Sequence, residues 1–191
     1  NLDSKSQDEI NNLRELAAAV SLAQTREEIV VELLKIIRDK IIPYGAAALY
    51  LGSDDLGFSL NGTWDLTEAD TKEIERQRTA GFLQWVVKSH MPMAMPAEGK
   101  YPTALYVPMK AGNRVTGILL LLTPRAVDEF TQSDQDRMSL LCSQAAVALE
   151  NAGLVEQVLQ MKQYNENILL SLTSGLIAVD LGGRVTTLNP A

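Results

Sequence analysis

From Gln132 to about Leu172 the sequence contains no proline and no tract of turn residues, and apolar residues recur at helical spacing throughout. A helix of roughly 40 residues is two or more times the length of an ordinary globular helix, so its second half is expected to leave the domain surface. Leu154, Val158, Met161, Asn165, Ile168 and Leu172 keep an alternating four-three spacing there, the seam of a two-stranded coiled coil. A polar residue inside such a seam, here Asn165, lowers stability but fixes register and strand number. The seam predicts a homodimer, parallel if it relays a signal between matching domains. The same stripe read alone fits packing on the parent domain equally well; the helix's length favours the coiled coil.

Before that helix the chain alternates helical and strand patterns. Ile10, Leu13, Ala17 and Val20 form one stripe of an amphipathic helix within residues 1–24. Thr25 followed by Glu28 has capping-box spacing and opens a second helix, whose apolar run Ile29 to Ile42 meets Pro43. Ala46 to Leu51 and Phe58 to Trp64 flank a turn-rich tract and predict a β-hairpin. Thr67 and Asp70 open a polar helix to about Arg78, and Gly81 precedes a short helix carrying Phe82, Trp85, Val86 and His90 before Pro92. Ala104 to Met109 and Val115 to Thr123 predict a second hairpin, central in the sheet because its second strand is continuously aliphatic. Thr131, with Asp134 in the first turn, caps the long final helix.

Charge and composition remove several function classes. With 24 acidic against 17 basic residues, net charge −7, and no Lys/Arg cluster, the chain would be repelled by phosphate backbones and anionic lipid, so nucleic acid is not expected as a partner. The single cysteine, Cys142, rules out an intrachain disulfide and a multi-cysteine zinc site, and fits a reducing, cytoplasmic setting. The longest apolar run, Val115 to Leu122, falls short of the ~20 residues of a membrane span, so no membrane contact is expected of this stretch. His90 is the only histidine and has no evident partner to orient it. Cys142 sits within apolar periodicity, where a free cysteine behaves as a small buried hydrophobe. Gly182-Gly183 reads as a turn and not a phosphate cradle. No catalytic residue and no metal site is assigned, and an enzyme is not expected.

Two stretches carry a family resemblance. Tyr106-Val107-Pro108-Met109, Gly112, and Val115-Thr116-Gly117-Ile118-Leu119 resemble the paired strands of the GAF domain; Phe130-Thr131-Gln132-Ser133-Asp134, Leu140-Leu141 and Gln144 to Ala152 resemble its closing helix. The resemblance covers roughly residues 16–154. It implies an α+β fold: a GAF-like antiparallel sheet flanked by helices, with the N- and C-terminal helices on one face and a long C-terminal coiled-coil signalling helix. The domain reading is an opening helix over 1–24, a GAF-like sensor domain over 25–153, a coiled-coil helix over 154–172, and over 173–191 a segment similar to the start of a PAS domain, the resemblance being carried by Ile168 to Asp180 and Gly182 to Ala191.

In this fold small ligands sit between one sheet face and the helices after the second strand. The resemblance therefore nominates Tyr50, Trp64, Phe82, Trp85, Met95, Tyr101 and Tyr106 as pocket residues, aromatic bodies with polar tips suiting an apolar pocket with a few directional bonds. The alternative is that they fill the core. The cysteine and histidines of bilin-binding members are not matched, and the cofactor is unknown. By analogy the chain is a sensor and dimerisation module of a signalling protein, foremost a sensor histidine kinase; the alternative is a structural spacer that binds no ligand.

Overall fold

The computed structural model describes residues 18, 23, 25–53, 56–171, 177–180 and 182–188. The expected opening helix over 1–24, apart from Ala18 and Ala23, and the last seam position, Leu172, lie outside the described residues. The chain divides into two compact units, Asn1–Glu150 and Asn151–Ala191.

In the first unit α1 spans Arg26–Lys40. The Thr25 hydroxyl accepts the Glu28 N–H at 3.2 Å and the Glu28 carboxylate accepts the Thr25 N–H at 3.3 Å, so two otherwise orphaned donors are satisfied. Ile29, Leu33 and Ile37, one turn apart, are fully buried. The helix stops at Lys40, short of Pro43, whose ring disfavours helical backbone in the residue before it. There follow β1 (Ala46–Ser53), β2 (Gly57–Trp64), α2 (Glu68–Thr79), α3 (Phe82–Ser89), β3 (Met93–Pro96), β4 (Thr103–Ala111), β5 (Arg114–Thr123), a 3-10 turn (Val127–Glu129) and α4 (Gln132–Ser171).

The five strands form one antiparallel sheet in the order β2-β1-β5-β4-β3. Both expected hairpins are present, and β5 is central and buried from Gly117 to Thr123. Strand β3 has no counterpart among the expected elements. It is four residues long and ends in a proline, a combination tolerated at a sheet edge, where one side of the strand needs no ladder partner.

Alternation sends Ala46, Ala48, Tyr50, Tyr106, Ile118, Leu120 and Leu122 to one face, where Ile74 of α2 and Leu83 and Val86 of α3 cover them. Ala47, Leu49, Val107, Met109, Leu119 and Leu121 point to the other, under α1 and the buried Met138, Leu141, Cys142, Ala145 and Ala146 of α4. Gly117 lets β5 close on β1: a Cβ there would lie 2.9 Å from the Tyr50 carbonyl oxygen. This is a GAF-like α+β fold, a five-stranded antiparallel sheet with flanking helices and a long C-terminal helix.

By length and composition α4 contains an 18-residue window, mean hydropathy 1.3, apolar enough to cross a membrane. Of that window 39% is buried inside the protein. In the second unit α4 continues to Ser171, and β6 (Ile177–Val179) pairs antiparallel with β7 (Val185–Leu188). The Asp180 carboxylate accepts the N–H groups of Gly182 and Arg184 at 2.8 and 2.9 Å, and Gly183 takes the positive φ of the turn, so the Gly-Gly pair is a hairpin turn.

Candidate functional site

The seven nominated pocket residues do not converge on one place. Tyr50 and Tyr106 are buried in one cluster beneath α2 and α3, on strands separated by β5, with Met95 and Tyr101 packed on its margin. Trp64 pairs with Ala47 in register, which turns it to the opposite sheet face, beside Leu34, Arg38 and Tyr44. The β-bulge between Leu49 and Tyr50 accounts for this, because it reverses the in-out alternation between Phe58 and Trp64. Trp85 lies on the outer side of α3 and is 57% exposed, while Leu83 and Val86 take the inner side. Phe82, half-buried at the helix start, lies outside the cluster around Tyr106.

What occupies the space beneath α2 is a chain of polar groups that the sequence reading missed. The sequence predicts α2 only as a polar helix, yet its Asp70, Glu73, Ile74 and Gln77 are buried. Their spacing is the signal that was available: 70, 73, 74 and 77 form one helical stripe, with polar residues where apolar ones usually stand. The Tyr106 hydroxyl donates to Gln77 Oε1 at 2.6 Å, and Gln77 Nε2 donates to Glu73 Oε1 at 2.6 Å and to the Pro96 carbonyl at 3.2 Å. Arg76 closes the chain with a two-pronged contact to Glu73, at 2.7 and 2.8 Å, the geometry in which a guanidinium holds a carboxylate most firmly. Those bonds from Arg76, aided by Gln77, hold the Glu73 carboxyl below its usual value despite burial. Burial raises the Tyr106 hydroxyl, which therefore stays a donor. The region is thus satisfied by the protein's own groups.

Space remains further along the same layer. A cleft of about 470 Å³ opens between the start of β2 and α3, lined by Gly57, Phe58, Arg78, Leu83, Gln84, Val87, Lys88 and His90. His90 ends α3 in a left-handed conformation, φ 57°, with its N–H on the Val86 carbonyl at 3.2 Å. Among the described residues no group of three or more His, Cys, Asp or Glu could hold a metal ion. Cys142 is fully buried and its thiol is pushed up to about 12 by desolvation, the behaviour of a core hydrophobe.

The described seam residues of α4 are all exposed: Leu154 55%, Val158 67%, Met161 66% and Ile168 42%, with Asn165 among them. Of the other exposed apolar residues of this helix, Val155, Leu159 and Tyr164 lie off the expected seam, while Leu140 and Val147 continue it toward the start of the helix. They stand at seven-residue steps before Leu154, Met161 and Ile168, a heptad visible in the sequence but masked by the buried residues interleaved with it.

The chain belongs to the GAF domain family, whose model matches residues 25–151. These are regulatory domains. No curated protein matches the chain. Among solved structures it is similar to the GAF domain of a protein assigned as a sensor histidine kinase from Pseudomonas syringae pv. tomato (18% identity, 84% of this chain and 99% of that one, TM-score 0.59). It is also similar to the GAF domain of a phosphoenolpyruvate-protein phosphotransferase from Coxiella burnetii (17% identity, 78% and 96%, TM-score 0.55). A third is the GAF domain of the potassium sensor histidine kinase from Escherichia coli (18% identity, 77% and 96%, TM-score 0.50). At these identities the likeness is one of fold. The family match ends at residue 151 and does not extend to the PAS-like segment.

Proposed function

We propose that this chain is the signal-input and dimerisation module of a larger cytoplasmic signalling protein, foremost a sensor histidine kinase. Its closing helix pairs with that of a second copy and carries the state of the domain toward a following PAS domain and an output beyond it. The observation that carries this reading is the stripe of exposed apolar residues along α4, Leu154, Val158, Met161 and Ile168, which costs hydration free energy in a lone chain and is relieved by a partner helix. The histidine kinase neighbours of the fold support the choice of parent by analogy. The Asp180 hairpin supports the PAS reading only through the resemblance of its sequence.

Two helix arrangements of similar energy, with different ligand affinity, are what such a relay requires. The test of the pairing is sedimentation equilibrium on the intact chain and on the L154E/M161E double variant. A dimer that becomes a monomer is expected; a wild-type monomer, or a dimer indifferent to the charges, would rule out the pairing. A second reading, a spacer without a ligand, draws support from the filled region around Tyr106, Gln77 and Glu73. A thermal-shift series separates the two, since a ligand at a hundredfold excess over its dissociation constant stabilises by about 2.7 kcal/mol.

A further inference from the structure

Three of the six methionines, Met91, Met93 and Met95, stand at alternate positions, and the chain's only histidine, His90, immediately precedes them. Met93 and Met95 lie on β3, where alternation gives them the same face, and both pack on the margin of the core beneath α2 and α3. Gap-filling by a flexible apolar side chain accounts for that much. It does not account for Met91, which is 51% exposed, nor for the polar neighbour of the Met93 sulfur. At the end of α3 the Ser89 hydroxyl donates to the Val86 carbonyl at 2.9 Å and accepts the Met91 N–H at 3.3 Å, and Met93 Sδ lies 3.5 Å from the same oxygen. One hydroxyl thus gathers the Met91 backbone and the Met93 sulfur beside the residue that precedes His90. Pro92, buried between the two methionines, fixes the backbone there, and His90 ends the helix in the left-handed region.

We infer that His90, Met91 and Met93 form a site for a soft monovalent metal ion, copper(I), bound by two thioethers and one imidazole nitrogen. Thioether sulfur is an uncharged, polarizable donor that selects copper(I) over harder divalent ions, and imidazole suits copper as well. None of the three donors carries a negative charge, and Lys88 stands on the last turn of α3, so one added positive charge is tolerated better than two. Asp54 and Asp55, between β1 and β2, lie outside the described residues and have no part in the site. Two residues of extended chain span about 6.6 Å, a gap that two flexible thioether arms close around a single ion. His90 and Met91 are exposed and open to an ion arriving from solvent, while Met93 is half-buried and Met95, deeper along the strand, is left to the core.

Anaerobic competition between the intact chain and a chromogenic copper(I) chelator tests this, in the Cys142→Ala background so that no thiol contributes. Silver(I), a diamagnetic ion of the same chemistry, serves for NMR of the methionine methyl groups. One ion per chain is expected, with methyl shifts at Met91 and Met93 and none at Met161 or at Met109 and Met138, which are buried elsewhere. Met91→Leu and Met93→Leu keep the apolar bulk and remove the sulfur. Each should weaken copper(I) by at least the roughly tenfold that loss of even an outer partner costs a metal site. His90→Asn, which tolerates the left-handed backbone, should do the same, and Met95→Leu should leave the affinity unchanged. No competition with the chelator, or binding undiminished in the H90N/M91L/M93L variant, would overturn the assignment. So would an equal loss with Met95→Leu, which would make the methionines matter only through packing, or tighter binding of zinc or calcium, which would point to carboxylates such as Asp54 and Asp55. None of these outcomes depends on the pairing of α4, which sedimentation reports separately.

Discussion

Removing the Tyr106 hydroxyl gives a quantitative test of the buried polar chain. Tyr106 is 1% exposed and its hydroxyl meets Gln77 Oε1 at 2.6 Å. Tyr106→Phe keeps the ring and its packing but leaves that oxygen buried without its donor, which costs about 1–3 kcal/mol. For a domain of this size about 2 kcal/mol lowers Tm by roughly 4–8 °C. Gln77→Leu should cost more, because it strands the Tyr106 hydroxyl and withdraws a donor from both Glu73 and the Pro96 carbonyl. The double variant is the discriminating species. With both partners apolar the stranded groups between them vanish, so its loss should fall short of the summed single losses by about 1 kcal/mol or more. Denaturant unfolding of the four proteins measures this. A Tyr106→Phe protein as stable as wild type, or strictly additive losses, would refute the view that the chain is tightly satisfied and dry.

Acid should loosen the domain. Because Glu73 is held below its ordinary value of 4.5, the folded state binds fewer protons than the unfolded one there. Its contribution is therefore full above about pH 4.5 and is lost as pH falls through the lower, folded value; Glu73→Gln should flatten that part of a stability-against-pH curve. Cys142 should resist thiol reagents in the native protein and react only under denaturant, and rapid native labelling would contradict its place in the core. Asn165→Ile should make the paired helix more heat-stable while broadening the distribution of oligomers by native mass spectrometry; a uniform dimer of unchanged stability would show that Asn165 is not in the seam.

Most of the fold was legible because local chemistry and burial agree along the chain. Thr25 with Glu28 and Thr67 with Asp70 announce their caps, and the unbroken aliphatic run of β5 announces a strand covered on both faces. Strand β3 was not legible, since four residues with a terminal proline carry no periodicity. The bulge after Leu49 was equally silent, and it is what turned Trp64 away from the face expected of it. The polar chain in α2 failed for another reason: Glu73 and Gln77 are buried only because Tyr106, Pro96 and Arg76 meet them there, and Tyr106 and Pro96 are distant in sequence. Lys88 and His90 carried no signal of a shared cleft, because the cleft exists only once the start of β2 lies beside α3.

The central claim is that α4 pairs with its copy, parallel and in register, and oxidative cross-linking of single-cysteine variants addresses it most directly. With buried Cys142 replaced by alanine, Leu154→Cys and Ile168→Cys place a thiol at either end of the exposed stripe, some 21 Å apart along the helix. A parallel pair in register sets each thiol against its own copy, so both variants should form disulfide-linked dimers separately. If neither cross-links alone, and a mixture of the two does, the helices run antiparallel; if nothing cross-links at all, the stripe serves no second copy and the proposed relay falls with it.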